Sequence, residues 1–180
     1  MDPKQQTVDS FPWHIWDRHE GTQRYHSAAG RAGRIISGRL LPGCDMLSGI
    51  IEMARSHRVA SAWVNGFGSL AKANFSPGIR FSAADAERVE RIANVHLEGP
   101  IEIWSGMGRL GVPADGAPVI HFHGLLVDEE GRLHGGHFFP GGNIVYATFE
   151  VHIQEILGVE FQIEQDEEVE IPLVKLKEKI

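Results

Sequence analysis

The chain has 180 residues, one domain's worth, with 42% hydrophobic and 23% charged residues, an ordinary composition for a globular protein. Its formal net charge of -7, from 17 basic and 24 acidic side chains, disfavours a general nucleic-acid binder, whose affinity rests on cationic contacts to phosphate. One cysteine excludes an intramolecular disulfide, no apolar run reaches the roughly 20 residues that span a bilayer, and the first residues lack the basic-then-apolar pattern of a secretory signal, so a cytoplasmic location is expected.

Residues 1–31 read as an extension. They carry Trp13, Trp16, His14, His19 and His26 without periodicity, and such aromatic content predicts packing on the domain or on a neighbouring subunit rather than a free tail. The domain proper takes residues 32–180. Ile35 to Leu41 reads as a strand, broken by Pro42-Gly43-Cys44. Asp45 is a suitable N-cap for a helix from Met46 to His57, with Leu47, Ile50, Ile51 and Ala54 on its core face. Cys44, just before it, reads as a small packed residue.

Val59 to Val64 reads as a short strand ending at Gly66-Phe67-Gly68-Ser69. No helix with the dinucleotide fingerprint follows, so these glycines predict a close backbone approach or a tight turn rather than phosphate binding. Ser82 to Ala93 fits a helix capped by Ser82 with Asp85 at the third position, or an extended segment. Ile101 to Trp104 reads as a strand, with Gly106, Gly108 and Gly111 as punctuation after it. Pro118 to Val127 is a further strand. Ile144 to Ile156 alternates most clearly: Ala147, Phe149, Val151 and Ile153 face one side, and Thr148, Glu150, His152 and Gln154 the other. Gln165 to Glu170 is an acidic, solvated connection, and Leu173 to Ile180 is amphiphilic and prone to fray. Strands dominate without regular strand–helix alternation, which predicts an α+β domain with a mainly antiparallel, twisted sheet.

The strand at 118–127 carries the chemistry. Alternation puts His121 and His123 on one face. Asp128-Glu129-Glu130-Gly131 reads as a turn with Gly131 in the left-handed position, and closing it between Asp128 and Arg132 sets His123 opposite His137. Cross-strand neighbours have Cβ atoms about 5 Å apart, so three imidazoles converge with no fourth protein ligand in view. That is the donor set of a catalytic zinc site, which keeps one position open. His134 is the rival third ligand: an odd offset turns it to the other face unless Gly135-Gly136 forms a bulge. Imidazoles also suit copper, nickel and iron, so another divalent transition metal fits the same residues.

The ordered set of motifs resembles the PPC domain, the family conserved in plants and prokaryotes. The resemblance runs from about Ile35 to Asp166. It comprises Arg39-Leu-Leu-Pro-Gly-Cys-Asp45, Gly66-Phe-Gly-Ser-Leu70, Gly99-Pro-Ile-Glu-Ile-Trp-Ser105, the histidine hairpin, and Thr148-Phe-Glu-Val-His-Ile153. It implies an α+β fold, a homotrimer, and zinc on His121, His123 and His137. The implied fold is also similar to that of acetolactate decarboxylase, which holds zinc with His-x-His and a later Gly-Gly-His.

Plant members of the family bind AT-rich DNA through fused AT-hooks, but Gly30-Arg-Ala-Gly-Arg34 lacks the Arg-Gly-Arg-Pro core. The expected function is therefore a metal-dependent, lyase-like enzyme acting on a small polar organic molecule. The alternative is a trimeric DNA-associated or regulatory module without catalysis. Glu102, at the glutamate of the family's Gly-Pro-Ile-Glu segment, is the expected proton-moving residue, with Glu98 and Glu150 behind it. Arg39 and Arg109 are candidate anion anchors.

Overall fold

The computed structural model describes residues 25–84, 89–111, 116, 118–167 and 170–178. Along the chain run β1 (Arg31–Leu40), α1 (Met46–Ser56), β2 (Ser61–Ser76), β3 (Ile79–Phe81), β4 (Val89–Arg91) and β5 (Val95–Gly111). They are followed by β6 (Val119–Val127), β7 (Leu133–Phe138), β8 (Val145–Leu157), β9 (Val159–Gln165) and β10 (Pro172–Glu178). The α+β class with a mainly antiparallel sheet is what the strand-rich pattern predicted. No helix among the described residues is long and apolar enough to cross a membrane.

Six strands pair in the order β1-β8-β2-β5-β6-β7, and β7 turns back onto β2 through Phe75↔Phe138 and Ser76↔His137. Strands β2, β5, β6 and β7 thus close into a ring, with β8 and β1 continuing the sheet from the first half of β2. The length of β2 and β5 makes this possible. Irregular pairing between Gly66 and Gly68, between Leu70 and Lys72, and between Ile103 and Ser105 bends both strands. One half of β2 joins β8 while the other meets β7.

Inside, Phe75, Phe122, Phe138 and Phe149 are fully buried. Phe138 packs on Phe75 and Phe122 at ring-centroid distances of 5.8 and 6.1 Å, and Phe122 meets Phe149 edge-on at 6.4 Å. Helix α1 begins where Asp45 caps it: the carboxylate accepts from the Ser48 backbone N–H at 3.1 Å. Its Leu47, Ile50 and Ala54 are buried, as the apolar stripe required, with Ile51 at the margin.

Several boundaries differ from the sequence reading. Strand β1 starts at Arg31, with an irregularity between Ala32 and Ile35. Strand β2 does not end at Gly66-Phe67-Gly68-Ser69 but runs on to Ser76, because the missing side chains let the Phe149 ring and the Thr148 carbonyl come close. Gly106, Gly108 and Gly111 likewise lie within β5 rather than after it, with Phe122 over the first two and Phe161 against the third. Ala147 is exposed, while Phe149, Val151 and Ile153 face the core as predicted.

Of the ambiguous stretch from Ser82, Asp85 lies outside the described residues, and Val89–Arg91 is extended and pairs with β3. The C-terminal segment does not fray over its described length. It pairs with β9 from Pro172↔Gln165 to Glu178↔Val159 as a regular hairpin. Most of the extension, with Trp13, Trp16, His14 and His19, falls outside the described residues.

Candidate metal centre

The β6–β7 hairpin fixes the site. Gly131 has φ +78°, and the loop closes through Gly131 N–H to Asp128 C=O (2.9 Å) and Asp128 N–H to Arg132 C=O (3.1 Å). The resulting register pairs His123 with His137. Phe122, between the two histidines in sequence, points into the core, so His121 and His123 point outward. His137 is held from its other side as well, because its strand partner in β2 is Ser76.

The three rings form one group whose candidate ligand nitrogens all lie within 4.8 Å of one another. His121 Nε2 is 2.7 Å from His123 Nε2, and His137 Nδ1 is 3.3 Å from the same His123 nitrogen. His123 is exposed; the other two are half-buried. Burial pushes all three imidazoles below their ordinary pKa. For His121 the charges of His123, Arg109 and Arg91 add to it, and for His123 that of Arg91. His137 is pushed down to about 3, by burial first and then by His121, Arg91 and His123. At neutral pH the rings are uncharged, the form that offers a lone pair to a metal.

The donor set fits a transition metal. Nitrogens bound tetrahedrally at about 2.0–2.1 Å stand about 3.3 Å apart. The His123–His137 spacing meets this already, the His121–His123 pair needs to open by a fraction of an ångström, and the remaining His121–His137 pair, at up to 4.8 Å, needs to close. No other His, Cys, Asp or Glu among the described residues joins the group. The rings border a hollow of about 430 Å³. Its other walls include Ile79 and Arg91 from the β3–β4 ribbon and Ile163, Leu173 and Val174 from the β9–β10 hairpin. A second hollow of about 440 Å³ shares His121, His123, Leu173 and Val174 and adds Trp63 and Arg109.

His134 is not in the group. It pairs with Leu126 on the inner side of the hairpin, sits 6.3 Å from the Phe75 ring and bonds to the Asp128 carboxylate at 2.8 Å. Glu102 is not there either. It pairs with Val127, four residues along β6 from His123, which is about 13 Å at ~3.3 Å per residue. Glu98 pairs with Lys72 at 3.1 Å, and Glu150 lies on β8 opposite Phe67 and Arg39. Arg39 is therefore on the far edge of the sheet, while Arg109 sits directly across from His121. His152 bonds Ser37 at 2.9 Å, away from the cluster. The sequence reading missed Arg91 and the hairpin wall: nothing in the ambiguous 82–93 stretch or the tail marks them as neighbours of the histidines.

The fold and the site define an antiparallel α+β domain with a surface cluster of three neutral histidines. A family model for the Plants and Prokaryotes Conserved domain matches residues 27–157. The chain belongs to that family. The comparison with curated proteins finds no match.

Among solved structures, a metal-containing protein from Archaeoglobus fulgidus is similar with TM-score 0.70 and 23% identity over 83% of this chain and 98% of that one. A plant- and prokaryote-conserved protein from Pyrococcus horikoshii gives 0.65 and 24% over 85% and 99%. A candidate DNA-binding protein from Ralstonia eutropha gives 0.62 and 20% over 78% and 90%. At these identities the likeness concerns the fold.

Proposed function

We propose that this domain holds a divalent transition metal, zinc first, on His121, His123 and His137, and that it uses the site to bind and turn over a small polar organic molecule. The observation that carries the reading is three neutral imidazoles with ligand atoms within 4.8 Å, beside a hollow of small-molecule size. Bound there, the metal would supply Lewis-acid polarisation of a carbonyl or carboxylate oxygen, which suits a lyase-type step such as decarboxylation or hydration. The hairpin's part is to hold three lone pairs in place without protons to displace. The hollow's part is to orient the ligand and limit water. Within one chain the strand spacing keeps Glu102 from the histidines. Its proposed role in moving a proton therefore depends on a neighbouring subunit bringing its β5 over the cleft.

Elemental analysis of purified protein tests the metal. About one zinc per chain is expected, lost in a His121→Ala/His123→Ala variant that keeps its circular dichroism. A wild type that takes up no metal after reconstitution would sink the reading.

The second reading, a trimeric DNA-associated or regulatory module, draws on the description of the Ralstonia neighbour. Against it stand the net charge of -7 and the lack of an AT-hook core. A salt-dependent shift of duplex DNA in a gel would favour it; no shift at low salt removes it.

A further inference from the structure

Two arginines border the histidine cluster, and neither has a carboxylate partner among the described residues. Three other arginines do have one, Arg34 with Glu155, Arg80 with Glu90, and Arg132 with Asp128 and Glu130, whereas Arg31, Arg39, Arg55 and Arg58 pair with no carboxylate among the described residues either. The Arg91 guanidinium carbon lies 5.2 Å from the Phe139 ring centroid, and Phe139 packs on His137 at 4.9 Å. The Arg109 guanidinium carbon lies 5.6 Å from the centroids of both Trp63 and Phe161, one strand over from His121. Cation–π contact holds a guanidinium in position without giving its N–H donors an acceptor. Each arginine is thus placed by aromatic rings and keeps its fork of donors for something else.

The charge count points the same way. Among the described residues no Asp or Glu lines the two hollows around the histidines, although Glu90 and Glu170 line an adjoining hollow that shares Arg91 and Ile171. A divalent ion on neutral imidazoles would add two positive charges to those of Arg91 and Arg109, in a partly desolvated place. In a chain of net charge -7, two hollows with no carboxylate among their described lining residues run against the composition. Uncompensated charge of this kind is costly unless an anion answers it. Around the charges the walls are apolar. Ile163, Leu173 and Val174 come from the β9–β10 hairpin, which lies beyond the residues 27–157 that the family model matches.

We propose that these two adjoining hollows, which share His121, His123, Leu173 and Val174, together form a cleft that takes a small organic dianion. Its anionic groups are held by Arg91 and Arg109 beside the metal position, and its carbon skeleton lies against the C-terminal hairpin. The inference deepens the metal-site reading and rests on it for one contact of the ligand, though not for the two arginines.

Calorimetric titration of the full chain, with metal content measured on the same samples, tests it. The probes are malonate, inorganic phosphate and the neutral isostere malonamide, at fixed ionic strength. Malonate or phosphate is expected to bind at least ten times more tightly than malonamide. Arg91→Gln and Arg109→Gln are each expected to weaken that binding about tenfold or more, the loss of one charge-assisted contact, with metal per chain unchanged. Arg91 is exposed on the β3–β4 ribbon, so Arg91→Gln carries the test even where Arg109→Gln, set between two rings, loses stability.

Tighter binding of phosphate than of malonate assigns the site to phosphorylated ligands, and the reverse to dicarboxylates. Equal binding of malonate and malonamide, no binding of either anion, or full affinity in Arg91→Gln overturns the inference. A metal-free wild type that still binds malonate through the arginines keeps the dianion site and sinks the metal centre. A metal-loaded protein blind to both anions does the opposite.

Discussion

Asp128 and Glu155 each anchor a part of the sheet with one carboxylate. Asp128 accepts hydrogen bonds from the backbone N–H groups of Glu130 (3.1 Å) and Arg132 (2.8 Å), from Arg132 Nε (2.7 Å) and from His134 Nε2 (2.8 Å). It thereby locks the turn that sets His123 against His137. Burial pushes its carboxyl up, but the bonds from His134 and Arg132 outweigh this and hold it well below the usual carboxylate range. Glu155 ties β8 to β1. The side-chain and backbone hydrogen bonds from Arg34 draw it from an ordinary 4.5 down to about 2, against its burial.

Both groups have folded values below their unfolded ones. As pH falls the unfolded chain takes up these protons first, so the stability they contribute is full above about pH 4.5 and is lost toward pH 2. Urea unfolding between pH 6 and pH 2 should follow that slope. A Glu155→Gln variant should start less stable at pH 7 and lose less on acidification. A variant curve parallel to the wild type would remove Glu155 from the account.

At the scale of elements, the closure of β7 onto β2 is what presses His137 toward its partners, and Gly136 is the residue that permits it. A Cβ there would sit 2.0 Å from the Ser76 carbonyl oxygen, a backbone atom with no freedom to move aside. Gly136→Ala must therefore push the two strands apart. We expect a loss of about 1–3 kcal/mol, the usual cost of overpacking, together with weaker retention of metal. Denaturant melts and metal analysis read the two effects. Unchanged stability and metal content would show that the closure does not support the site.

The same contact marks how far the sequence could be read. The hairpin was legible because its determinants are local: alternation around Phe122, and a left-handed glycine at position 131. Helix α1 was legible for the same reason, through Asp45 and the Leu47–Ile50–Ala54 stripe. The β2–β7 pairing, the run of β5 through three glycines, and the approach of Arg91 and of Leu173 to the histidines rest on residues far apart in the chain. A glycine reads locally as a break. Phe122 over Gly106 and Gly108, and Phe161 against Gly111, make them strand positions.

For the molecule as a whole, the sheet exposes several large apolar side chains on strands β2, β5 and β6. Phe67 and Met107 are each 48% exposed, Leu125 51% and Trp104 68%. Met107 pairs with His123, and Leu125 lies two residues beyond it on β6, so Met107 and Leu125 share the histidine face. Exposed apolar side chains of this kind mark association, which the homotrimer implied by the family resemblance would require.

The three histidines nonetheless come from one hairpin of one chain, so the metal position does not need a neighbour to exist. These two properties separate cleanly in a Leu125→Glu variant. A charge buried without a partner in an interface typically costs several kcal/mol, enough to dissociate an assembly at micromolar concentration. Light scattering on the wild type should give three times the chain mass of 19.9 kDa, and on the variant the mass of a single chain. Metal per chain should stay the same, because Leu125 faces Gly135 across the hairpin and contributes no ligand. A monomeric wild type would leave the apolar face to another partner. A variant that loses its metal together with its assembly would mean that the neighbouring subunit completes the coordination, and that the open position lies at the interface rather than within the cleft of one chain.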